Sequence, residues 1–174
     1  MNNDKNSLIN KYTTCGIPFI VLLGSFFHFL YGLSGKFFLV GFITPISESV
    51  FEHLKLPLVP TILWWLITYI ILKSKQINLR KWLASALFSY LINISFIIIF
   101  YYTYTGALGI ESVFLDILSY ILGTSLGQII GFNFYTSQKT KNLHYLFIFI
   151  IALIVFIIFI VFTYNPPNLP IFNS

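Results

Sequence analysis

The sequence predicts an all-α integral membrane bundle of five transmembrane helices, and three observations carry that prediction. Of the 174 residues, 57% are hydrophobic and 9% charged, whereas a soluble domain is about a quarter charged. Five apolar stretches, at approximately 15–34, 45–72, 82–102, 113–134 and 143–164, approach or reach the ~20 residues that cross a bilayer. Apart from Glu48, Glu52, Lys55 and Asp116 the charges lie between these stretches, and together they sort by sign. Eight of the ten Lys and Arg (Lys5, Lys11, Lys73, Lys75, Arg80, Lys81, Lys139, Lys141) share one side of an alternating five-span path, and four of the five acids share the other. The positive-inside rule then places the N-terminus in the cytoplasm and the C-terminus outside, in the cell membrane.

The first stretch, Cys15–Ser34, follows Lys5 and Lys11 as the core of a signal peptide would. It is long for that role and four further spans follow, so a retained helix is expected. Cys15 is the single cysteine, which excludes an internal disulfide and a thiolate metal cluster.

The second stretch is punctuated by proline. Thr44-Pro45 suits a helix start, because threonine caps free N–H groups and proline fits the first turn. A helix beginning there meets Pro57 and Pro60, which remove hydrogen bonds to the carbonyls of His53 and Leu56. A kink near His53, with that carbonyl left free, is the expectation. Because 56–72 is short for a span, part of 45–55 should sit at the outer headgroups. The apolar run 37–43 allows a re-entrant or interfacial segment before it.

The third stretch ends in Tyr101, Tyr102, Tyr104 and Thr105, an aromatic belt by default, with one tyrosine orienting a carboxylate as the functional alternative. The fourth carries Gly123, Gly127 and Gly131 on one helical face. Such a seam lets a second backbone approach, within the bundle or between copies, so a homo-oligomer through it is one expectation. Gly123-Thr-Ser-Leu-Gly127 matches a serine-hydrolase pattern that works only at a strand-to-helix turn, so mid-span it reads as packing. Asn93 and Gln128 read as inter-helix glue. The fifth stretch follows Lys139, Lys141 and His144, which mark a membrane edge.

The formal charge of +5 does not point to nucleic acid, since basic inter-span loops account for it. The expected partner is the lipid bilayer, with anionic headgroups favoured at the basic loops.

A carboxylate at membrane depth costs roughly 2.5–3.5 kcal/mol on insertion scales and usually has a partner or a role. Pro45-Ile-Ser-Glu-Ser-Val-Phe-Glu-His-Leu-Lys55 brings Glu48, Glu52 and Lys55 onto a narrow arc of a helix, with Glu52 and Lys55 able to pair. His53 points about 100° away, toward a different neighbour. The bland reading is an interfacial ion pair. The sharper one adds His28, roughly 10 Å below the outer end of its span, and Asp116, one turn into the fourth span below Glu111. Glu48 and Glu52 are then the candidate catalytic residues and His28, His53 and Asp116 the candidate metal ligands. Lys55, Tyr102, Tyr104 and Glu111 complete the polar set. Two imidazoles with carboxylates suit zinc or another borderline divalent cation with an open position for water.

Three stretches, 28–36, Pro45–Leu56 and Phe162–Phe172, carry a resemblance. The chain resembles a family of small bacterial multi-pass membrane proteins known only as a domain of unknown function, and nearly its whole length takes part. In that family asparagine stands at the position of Ser47 and tryptophan at that of Phe51. The resemblance implies a five-helix membrane protein and supplies no catalytic residues.

Three functions fit these residues. One is a metal-assisted intramembrane hydrolase of a lipid or lipid-linked substrate. Another is an accessory or binding subunit with a structural polar cluster. The third is a small proton- or cation-coupled transporter, for which the cytoplasmic half offers few polar groups.

Overall fold

The computed structural model describes residues 2–137 and 139–173. Six helices, α1 Asn2–Leu33, α2 Val50–His53, α3 Leu58–Leu72, α4 Leu79–Leu108, α5 Val113–Thr136 and α6 Asn142–Tyr164, make up the molecule with three short 3-10 turns. No strand occurs among the described residues. Five segments are long and apolar enough to cross a membrane: Asp4–Leu33, Val50–Lys75, Leu79–Leu108, Val113–Thr136 and Asn142–Tyr164. The protein is therefore an all-α, multi-pass membrane protein.

Two of the expected spans grow. Helix α1 starts ahead of its apolar stretch, so Asp4, Lys5 and Lys11 lie on the helix, and Lys5 Nζ donates to Gln76 O at 3.1 Å. Helix α4 begins at Leu79 because Asn78 caps it, its side chain accepting from Lys81 N at 3.0 Å. It runs on to Gly109, whose φ of 63° closes it in the left-handed conformation glycine tolerates best.

The second span differs more. No helix begins at Thr44-Pro45, because the Thr44 hydroxyl donates back to Val40 O at 2.8 Å instead of capping forward. Residues 34–49 form bends and a 3-10 turn at Val40–Phe42, with Phe37, Phe38 and Leu39 exposed. The helix starts at Val50, where Ser49 accepts from Glu52 N at 3.4 Å. Pro57 directly precedes α3 and Pro60 lies in its first turn, where a missing N–H costs little. The prolines thus begin a helix after a break at 54–57 rather than kinking one. The His53 carbonyl is not free, since Leu56 N donates to it at 3.1 Å.

Packing centres on α4 and α5. Gly127 lies against the Ser89 carbonyl, Gly123 against Asn93, and Gly131 against Ser85 O and Ser89 Cβ. Asn93 Nδ2 donates to Thr124 Oγ1 at 3.1 Å and Gln128 Nε2 to Ser89 Oγ at 3.1 Å, so the seam is filled by α4 of the same chain. Of the two expectations for the seam, the structure shows the contact within the bundle. Ser125, half-buried, donates to Ile121 O at 2.8 Å like any helical serine.

At the basic end, Trp82 packs tilted against Trp65 and edge-to-face with Tyr135, with centroids 4.7 and 4.9 Å apart, and its Nε1 donates to Trp65 O at 2.7 Å. Helix α1 leans on this core through glycine, Gly16 against Trp64 and Gly24 against Tyr120, whose hydroxyl donates to Ile20 O at 2.8 Å. Helix α6 is the most exposed, its buried residues being Ile148, Phe159 and Thr163. At its start Lys141 N donates to His144 Nδ1 at 3.0 Å, so that histidine serves the helix end.

A Cβ at position 127 meets a backbone carbonyl that cannot swing away, whereas one at Gly106 meets nothing within 4 Å. Gly127→Ala is expected to cost about 1–3 kcal/mol, as overpacking does. Gly106→Ala should instead gain about 0.4–1 kcal/mol from a stiffer unfolded chain. Thermal unfolding of the two variants in detergent checks the opposite signs.

Candidate functional site

The acidic end carries the polar groups, and they divide into three separate clusters. The first joins α1 to the 47–53 segment. His28 lies five residues before the end of α1, on the face that meets α2. Serine at 49 adopts an extended conformation (φ −69°, ψ 151°), so the flanking side chains alternate: Ser49 turns inward and is buried, while Glu48 turns outward. One turn on, His53 Nδ1 donates to the Ser49 carbonyl at 2.8 Å. A carbonyl can only accept, so that contact fixes the tautomer of neutral His53 and leaves Nε2 as a bare lone pair.

That lone pair faces His28 Nε2 at 3.0 Å, and Glu48 Oε2 stands 3.5 Å from each of the two nitrogens. The imidazoles are about one-third exposed and Glu48 is 74% exposed. Among the described residues no other set of three His, Cys, Asp or Glu side chains converges in this way. A point about 1.9 Å from all three atoms lies in their plane, and an ion raised slightly from it reaches the ~2.0–2.2 Å of zinc bonds to imidazole and carboxylate. Without an ion, the imidazoles satisfy each other when His28 carries its proton on Nε2.

The second cluster is buried. Lys55 has no exposed surface, and its Nζ donates to Glu52 Oε2 at 2.6 Å, Thr163 Oγ1 at 2.6 Å and Gly41 O at 2.9 Å. All three ammonium protons are thus used. Glu52 Oε2 also accepts from Ile46 N at 2.8 Å, which pins the irregular segment to α2. Next to it lies a cavity of about 240 Å³ lined in part by Ser47, Ser49, Glu52 and Phe172.

In the third cluster Tyr104, on α4, donates its hydroxyl to Asp116 Oδ1 at 2.7 Å on α5. Asp116 lies outside the histidine group. Tyr102 is exposed on the other side of Tyr101, and Glu111 is exposed in the connection before α5.

The sequence offered His28, Glu48, Glu52, His53 and Asp116 as one candidate set; the structure brings together the first, second and fourth only. Glu48 meets the imidazoles and not Lys55, because the helix that would align it with Lys55 starts two residues too late. Thr163 and the Gly41 carbonyl were missed. Thr163 is the first polar side chain after the unbroken apolar run 146–162, a signal that would have singled it out.

The family model that matches residues 1–174 is described as a family of unknown function, DUF6512. The chain belongs to that family. No curated protein and no solved structure matches it. As a member of DUF6512 it has the five apolar helices of a multi-pass membrane protein.

Removing one half of a buried ion pair leaves an uncompensated charge. Glu52→Gln should therefore lower unfolding free energy by about 3–5 kcal/mol. Glu48→Gln, at an exposed position, should leave the unfolding midpoint within experimental scatter. Denaturant titration in a lipid-like detergent distinguishes the two.

Proposed function

We propose that this protein binds one divalent transition-metal ion of the zinc type through His28, Glu48 and His53, at the outer membrane surface, and uses the ion's open position to hydrolyse a lipid or lipid-linked ester. The observation that carries the reading is the triangle of donor atoms, with the His53 Nδ1 contact to Ser49 O orienting the ring from behind. Three protein ligands with a vacant fourth position is the arrangement of catalytic rather than structural zinc. His28, Glu48 and His53 would hold the ion, which would supply an acidified water and Lewis acidity toward the ester. Glu48 is a ligand on this reading, not a base. Glu52 is withheld from either role by Lys55, and Asp116 by its distance from the histidine group.

A second reading makes the cluster structural, in an accessory subunit. It is favoured by the 3.0 Å contact between the imidazoles, which is an ordinary hydrogen-bond length and needs no ion. A transport path finds little support, since Asn93, Thr124, Ser89 and Gln128 pair with one another in a seam closed by glycine.

Metal analysis of protein purified with zinc present should give one ion per chain, and His28→Ala and His53→Ala should each reduce it to background. A metal-free, chelator-insensitive wild type overturns the reading in favour of the structural one. The orientation proposed is N-terminus cytoplasmic and C-terminus outside. In a Cys15→Ser background, an impermeant maleimide should label Asn168→Cys and spare Lys75→Cys; the reverse pattern inverts the orientation.

A further inference from the structure

We infer that the cavity beside the buried Lys55–Glu52 pair is a binding site for a neutral polyhydroxyl group, of the glycerol or hexose type. The inference stands apart from the metal reading, because Ser47, Ser49 and Glu52 line the cavity and His28, Glu48 and His53 do not.

Counting donors and acceptors identifies the ligand class. Glu52 is 3% exposed and lines the cavity. Its Oε2 is taken by Lys55 and by Ile46 N, while its Oε1 accepts no hydrogen bond from a described residue. Ser49, 2% exposed, accepts from Glu52 N at 3.4 Å and from Ser47 Oγ at 3.3 Å. Both its lone pairs are then used, and its own proton has no acceptor among the described residues. Thr163 is occupied by Lys55 and by Phe159 O. What remains is one carboxylate oxygen seeking a donor and one hydroxyl seeking an acceptor. An alcohol meets both at once, its proton going to Glu52 Oε1 and its oxygen accepting from Ser49.

Charge and shape narrow the class further. Lys55 already neutralises Glu52, so an ammonium ligand would bring in an unbalanced positive charge and a phosphate would face the carboxylate. The remaining walls include Ile46, Phe162 and Phe172, apolar surfaces suited to the C–H faces of a polyol or sugar ring. The volume of about 240 Å³ accommodates a single such unit.

The source is either a glycolipid headgroup or a free polyol, and two arms separate them. In the first, native mass spectrometry from detergent compares retention of monoglucosyldiacylglycerol with that of diacylglycerol and phosphatidylethanolamine of the same chains. In the second, thermal unfolding is followed against free methyl glucoside and glycerol. The expectation is about tenfold preferential retention of the glucosyl lipid, the effect of one well-made hydrogen bond in excess. Ser49→Ala, which removes the donor, and Ser47→Leu, which fills the cavity, should each bring retention to parity, while Ser95→Ala on the exposed face of α4 should leave it unchanged. Ser47→Leu keeps the test valid if loss of the Ser49 cap unfolds the protein. Stabilisation by free glucoside alone, lost in the same variants, assigns the site to a soluble polyol. Equal retention of all lipids with no thermal response, a preference for the ammonium lipid, or a preference that survives both substitutions overturns the inference.

Discussion

Lys55 holds the acidic end of this protein together. Burying an ammonium among apolar helices carries a penalty of several kcal/mol unless each proton finds an acceptor. The fold supplies all three from separate parts of the chain: a carboxylate on α2, a hydroxyl near the end of α6, and a backbone carbonyl in the irregular segment. Through Glu52 the same pair reaches Ile46, so the path of the chain into Ser49 is set. The direction in which Glu48 leaves the backbone follows from that path. The histidine triangle therefore inherits its geometry from a buried ion pair that is not part of it.

The α4–α5 seam plays the corresponding role in the bundle's interior. Lipid offers no hydrophobic drive for two helices to associate, so close contact and paired polar groups must do so. Three glycines allow the backbones to touch, and Asn93 and Gln128 each find a partner across the contact. Asn93 Oδ1, Gln128 Oε1 and Trp65 Nε1 are buried without a partner among the described residues.

What was legible beforehand follows from how far each signal reaches. Apolar length and basic loops are local, and α5 and α6 lie within two residues of the stretches read from them. The seam was legible as a face, since three glycines at four-residue spacing need only helical geometry. Its partner was not, because nothing local distinguishes a neighbour in the same chain from a second copy. At the proline-rich corner a local rule misled. Thr44-Pro45 has the form of a helix start, but Ser49 with Glu52 three residues on competes for the same role and wins, being followed by an uninterrupted turn. That shift of register separates Glu48 from Lys55 and delivers it to the imidazoles. Asp116 was placed by depth alone, and depth does not specify azimuth; Tyr104 draws it to another side of the bundle.

The hydroxyl of Thr163 has a consequence for how the bundle closes. It is separated from Lys55 by 108 positions and reaches the lysine from α6. Without α6 in place the ammonium is one acceptor short. Docking of α6 and burial of that charge are therefore coupled.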